Sequence, residues 1–135
     1  VARLILDTGV LVRAARGRLA AGTIDTDDDV ALPAVVIAKF LSGILGDGDT
    51  VRQAAQRGFL DRLLEVTPVE DYTPAIAEHH AELLAHVRIA GQPRGALDLI
   101  IAATARATGR LLVTTDSKTR FDELPGVQAW VLPTP

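Results

Sequence analysis

The 135-residue chain contains no cysteine and no methionine. Without cysteine there is neither a disulfide framework nor a thiolate metal site, so any metal must be held by oxygen or imidazole ligands. Oxygen ligands point to magnesium or manganese. Aromatic side chains are scarce, one Trp, one Tyr and three Phe, which leaves little capacity for stacking on nucleic-acid bases. No apolar run is long enough to span a bilayer, and the first residues show no charged-then-apolar leader pattern. The expectation is a cytoplasmic protein that does not touch a membrane. A strong charge of either sign is missing as well: 14 basic against 17 acidic residues give −3. That total does not announce a nucleic-acid binder, but a cluster of metal-binding acids would lower it and hide a basic surface elsewhere.

What is present is enough apolar material for one folded domain over residues 1–135, since 48% of the residues are hydrophobic. The stretch that organises the chain is Leu4-Ile5-Leu6-Asp7-Thr8-Gly9-Val10. Leu4 to Leu6 suit a strand buried on both faces of a parallel sheet. Asp7 then stands at the carboxyl end of that strand, where open α/β sheets place their ligands, although Asp7 or Thr8 also suits a helix cap. The same pattern returns late in the chain, where Leu111 to Thr114 read as a buried strand followed by Asp116.

Between them, Val30 to Leu32 read as a strand, with Pro33 in the first turn of a helix reaching Leu45. Asp49 or Thr50 caps a helix to about Leu64, and Glu65 to Val69 read as a third strand. Thr73-Pro74 open a helix to about Ala90. Ala96 to Ala105 form a strongly apolar helix ending at Gly109, with Asp98 in its first turn, and the last strand is read over Val127 to Leu132. Strands alternating with helices imply a mainly parallel five-stranded sheet with helices on both faces. Asp25 to Asp29 lack the glycine and distal glutamate of a calcium loop and read as solvated. His79, Glu82 and His86 share a helix face but have no fourth ligand, so a surface role suits them better.

In such a sheet Asp7 and Asp116 converge on one edge, and Asp98 can join them from its helix. Three carboxylates brought together repel and raise one another's pKa unless a cation is present. A divalent ion removes that cost and can activate water against a phosphoryl group.

The ordered set Leu6-Asp7-Thr8, Val35-x-x-Ala38-x-Phe40-Leu41-x-Gly43, Leu97-Asp98-x-x-Ile101-Ala102-Ala103-Thr104-Ala105 and Leu112-Val113-Thr114-x-Asp116, closing with Phe121 and Pro125-Gly126, resembles a PIN-domain ribonuclease toxin of the VapC kind. The resemblance implies a PIN-like three-layer α/β fold and a Mg2+- or Mn2+-dependent endoribonuclease. It also implies a homodimer and inhibition by a VapB-type antitoxin. Position by position, Asp7, Asp98 and Asp116 match the family's acids, and Thr8 and Thr114 support them. The usual glutamate of the second motif is replaced by Lys39. With Lys39 the four positions carry −2 rather than −4, and an ammonium about 4 Å from a carboxylate is attracted by roughly 4 kcal/mol at an effective dielectric of 20. Lys39 thus competes with a metal. The readings open for it are an inactivating replacement, a site with altered metal use, and a surface lysine whose stem packs on apolar neighbours. The first is favoured, which leaves a catalytically silent RNA- or antitoxin-binding module as the alternative to a working nuclease. Arg13, Arg16 and Arg18 after the first strand, and Lys118 and Arg120 after Asp116, are candidates for holding RNA phosphates.

Overall fold

The computed structural model describes all 135 residues. Five strands form one sheet, β1 (Arg3–Leu6), β2 (Asp29–Pro33), β3 (Val69–Glu70), β4 (Leu111–Thr114) and β5 (Ala129–Val131). Five helices connect them: α1 (Thr8–Ala15), α2 (Ala34–Leu45), α3 (Thr50–Val66), α4 (Pro74–Ala90) and α5 (Ala96–Thr108). The order across the sheet is β3-β2-β1-β4-β5 and every pairing is parallel. The chain therefore steps outward from β1 to β3, returns through α4 and α5, and starts again at β4. Right-handed crossovers then place helices on both sides of the sheet. The direction of travel reverses between β1 and β4, and a crevice at the carboxyl ends of those two strands follows.

The core follows from the strand sequences. Leu4, Ile5, Leu6, Leu112 and Val113 are buried on the two central strands. Helix α5 buries Leu99, Ile101, Ala102, Ala103, Thr104 and Ala105, and small residues let it lie close against α4 and the sheet. Gly9 serves a close approach: a Cβ there would stand 2.0 Å from Thr115 Oγ1, so α1 can begin hard against the exit of β4.

Three element limits differ from the sequence reading. Glu65 and Val66 belong to the end of α3, and the third strand shrinks to Val69–Glu70. Short apolar runs do not distinguish a helix end from an edge strand, and a very short edge strand needs little sequence signal. The fifth strand is only Ala129–Val131. Pro33 ends β2 and caps α2 without a side-chain bond, and the first helical residue is Ala34.

Candidate active site

Asp7 leaves β1 with its backbone N–H still donating to Val113 O of β4 at 2.9 Å, and it caps α1. The residue is 5% exposed. Oδ1 accepts from Thr8 N at 2.8 Å and Oδ2 from the Thr114 hydroxyl at 2.6 Å. Thr114, fully buried at the end of β4, in turn accepts from the Asp116 N–H at 3.1 Å. One hydroxyl thus ties together the two acids that leave adjacent strands.

Asp116 is held by its own turn. Its Oδ1 accepts from Lys118 N at 2.8 Å and Thr119 N at 3.1 Å, and its Oδ2 accepts from the Thr119 hydroxyl at 2.5 Å. That hydroxyl, with the two amides, holds the Asp116 carboxyl below the usual carboxylate range. Asp98 behaves in the opposite way. Burial pushes its carboxyl up, Lys39 pulls it back, and the charges of Asp7 and Asp116 push it up again. Asp98, in the first turn of α5, thus lies within electrostatic reach of both Asp7 and Asp116.

Lys39 lies in the same place. Helix α2 buries Val36, Phe40 and Ile44, which leaves Lys39 on the shoulder of the buried face with its Nζ 3.5 Å from Asp98 Oδ1. The two side chains are 31% and 22% exposed. The lysine is therefore turned towards the acids, and the reading of it as an independent surface residue does not describe this geometry.

The donor set at this edge is three carboxylates without imidazole or thiolate, the hard-oxygen chemistry that suits magnesium or manganese. As the side chains stand, no three Asp, Glu or His groups anywhere in the chain close around one point. The residues fit a divalent ion in kind, and the Lys39 ammonium lies against one of them, Asp98. On α4, Glu82 is engaged by Arg106, and His79, Glu82 and His86 do not gather as ligands.

Beside Lys39 opens a cleft of about 640 Å³ between α1, α2 and α3, lined by Thr8, Arg16, Arg18, Lys39, Phe40 and Gln56 among others. Thr8 Oγ1 and Gln56 Oε1 are buried in its wall without a hydrogen-bond partner. Of the expected cations, Arg16 reaches this cleft, whereas Arg13 donates to Pro133 O at 2.7 Å and is directed to the C-terminal residues. Lys118 and Arg120 are exposed beyond Asp116, and Arg120 pairs with Glu123 at 3.2 Å. Two residues that carried no signal in the sequence, Arg94 and Thr119, also belong here. Arg94 donates to the Thr119 carbonyl, and Thr119 grips Asp116. A linker arginine and a loop threonine have no periodicity or motif to mark them.

Comparison with known proteins gives a match between residues 4–127 and the PIN domain family. No curated protein matches the sequence. The fold is similar to that of VapBC2 from Rickettsia felis, solved with a promoter DNA fragment, with TM-score 0.85 and 20% identity over 97% of this chain and 99% of that one. It is similar to VapBC-5 from Mycobacterium tuberculosis, with TM-score 0.79 and 23% identity over 98% of this chain and 100% of that one. FitAcB from Neisseria gonorrhoeae superimposes with TM-score 0.72 and 20% identity over 94% and 96% of the respective chains.

Proposed function

The chain belongs to the PIN domain family, and on that premise we propose that it is the toxin of a type II toxin–antitoxin pair, built as a metal-dependent endoribonuclease whose metal place is contested by Lys39. What supports the reading is that Asp7 and Asp116 leave the adjacent strands β1 and β4 joined through Thr114, with Asp98 near enough to feel both charges and Lys39 against it. Asp7, Asp98 and Asp116 would hold a magnesium or manganese ion. When bound, that ion supplies Lewis-acid polarisation of a phosphodiester and a water of lowered pKa.

The chain's own residues do the rest. Thr114 fixes the Asp7 carboxylate and the Asp116 backbone, and Thr8 donates its N–H to Asp7. Arg16, Lys118 and Arg120 stand exposed around the edge, where they hold RNA phosphates, with a smaller share for Arg13 because Pro133 engages it. The partner is a VapB-type antitoxin, in keeping with the complexes in which the similar folds were solved. Exposed Leu84 and Ile89 on α4 suit a homodimer contact. No helix is long and apolar enough to cross a membrane, in keeping with a cytoplasmic toxin.

The Lys39–Asp98 ion pair favours a second reading, in which this chain binds RNA or antitoxin without cleaving. One assay separates the two: cleavage of single-stranded RNA with manganese by the parent chain, by Lys39→Glu and by Lys39→Glu/Asp7→Asn. The nuclease reading expects weak or no cleavage by the parent, cleavage by Lys39→Glu and its loss in the double variant. Inactivity of both the parent and Lys39→Glu, with RNA or antitoxin still bound, sustains the second.

A further inference from the structure

We infer that the Arg94-Gly95 segment, which joins α4 to α5, is a positioning device that sets two of the three aspartates at once. The inference rests on the reading of the acid edge as a metal site. The Arg94 side chain is only 5% exposed, and a guanidinium is driven into such a place only if its donors are answered. Its Nε donates to Thr119 O at 2.5 Å, one terminal nitrogen to Gln92 O at 2.7 Å and the other to Arg120 O at 3.5 Å. The second of these nitrogens is also 3.9 Å from Glu123 Oε2.

Two of those acceptors, Thr119 O and Arg120 O, belong to the loop that holds Asp116. Thr119 is gripped twice: its carbonyl by Arg94, its amide and hydroxyl by the Asp116 carboxylate. Arg120, next in the chain, has φ of 52°, the left-handed region that a side chain seldom adopts, and its carbonyl lies against Arg94. A rigid, planar fork from outside the loop thus holds the loop in the shape in which its amides meet Asp116.

Gly95 acts on the other acid. A Cβ at Gly95 would stand 2.9 Å from Asp98 Oδ2. The carboxylate is the movable partner in that contact, so a side chain at this position would displace Asp98 rather than the backbone. Adjacent residues therefore set Asp116 through a hydrogen-bonded loop and Asp98 through the absence of a side chain.

The test uses Arg94→Met, Arg94→Lys and Gly95→Ala in the full chain, each also combined with Lys39→Glu, and reads amide exchange by NMR and Mn2+ affinity by relaxation. Arg94→Met is expected to speed exchange of the Lys118 and Thr119 amides about tenfold while leaving β1 and β4 unchanged. In the Lys39→Glu chain it should weaken Mn2+ binding by roughly 10- to 100-fold, the cost of losing an outer partner of a ligand. Arg94→Lys, which keeps the charge but not the fork, should recover little of either. Gly95→Ala should weaken Mn2+ binding without changing exchange at Lys118 and Thr119. The inference is overturned if Arg94→Met leaves those two amides unchanged, or if exchange rises evenly through the chain while Mn2+ affinity holds. If Asp98→Asn and Asp116→Asn also leave Mn2+ binding of Lys39→Glu intact, the metal reading fails. Faster exchange confined to Lys118 and Thr119 would still uphold the grip of Arg94 on the loop.

Discussion

The two ends of the sheet are mirror cases of charge. At the amino end, Arg3 and Arg110 share Asp29, with Glu70 3.8 Å from Arg110 Nε; at the carboxyl end, Lys39 pairs with Asp98 alone of the three aspartates. The two cations of the first are answered by the backbone as well as by these carboxylates. Arg110, 7% exposed, donates to Leu4 O at 3.2 Å, Asp29 O at 2.8 Å and Asp29 Oδ1 at 3.1 Å, and Arg3 donates to Thr108 O at 2.9 Å. Of the three anions of the second, Asp7 and Asp116 are held by hydroxyls and amides, and Asp98 only by Lys39 at 3.5 Å. Asp98 keeps a raised pKa in spite of Lys39. Charge at the amino end joins the starts of the strands, whereas the proposed site at the switch point is left with one carboxylate answered by a single lysine.

The largest effect that would break this contrast is at the amino end. Arg110→Met removes the donor that joins the starts of β1 and β2, and is expected to cost about 3 kcal/mol of unfolding free energy in urea. Metal affinity of a Lys39→Glu chain should not change with it. A loss no larger than that of an exposed ion pair would put this arginine on a par with Arg57–Asp61 on the surface. A smaller effect is expected for Thr114→Val, which strips Asp7 Oδ2 of its donor and the Asp116 N–H of its acceptor. Roughly 2 kcal/mol is expected from thermal or urea unfolding, with a loss of order at Asp116 visible in its amide signal.

The smallest effect has the opposite sign. Burial first, then Asp7 and Asp116, hold the Asp98 carboxyl above its ordinary range against the pull of Lys39. The folded chain therefore binds that proton more tightly than the unfolded one, and stability falls as pH rises from the ordinary carboxylate value through the raised one. Asp98→Asn should raise the melting temperature at pH 7, and the gain should fade as pH falls through the ordinary carboxylate range, below which both forms are neutral. Asp116 runs the other way. Lowered chiefly by the Thr119 hydroxyl, it contributes stability above its ordinary range that is lost as pH falls through its lowered value. An equal gain for Asp98→Asn at pH 3 and pH 7 would mean that packing, not charge, sets the difference.

The same contrast explains what could be read in advance. The acids at the carboxyl end follow buried strands or open an apolar helix, so Asp7, Asp98 and Asp116 stand out in the sequence. Helix α4 announces itself through Thr73-Pro74 and Gly91, and α5 through Gly109, because caps and left-handed glycines are local chemistry. What stayed hidden depends on contacts distant in the chain. Arg110 meets residues of β1 and β2 across 106 and 81 positions, and Arg94 meets Thr119 across 25. The third strand lies later than its sequence suggests, because only two residues pair at the edge and nothing in Glu65-Val66 distinguishes a helix end from a strand. Arg13, grouped by sequence with Arg16 and Arg18, is turned instead to Pro133. Proximity in sequence says little about where a long cationic side chain ends.

If Lys39 stands in the cation place of the acid edge, as proposed, replacing it by an acid must strengthen metal binding. Mn2+ titrated calorimetrically into the parent chain and into Lys39→Glu at one ionic strength is expected to bind at least about tenfold more tightly to Lys39→Glu, the equivalent of 1.4 kcal/mol, with the gain lost when Asp98→Asn is added. Equal Mn2+ affinity in the parent and in Lys39→Glu would contradict the proposal.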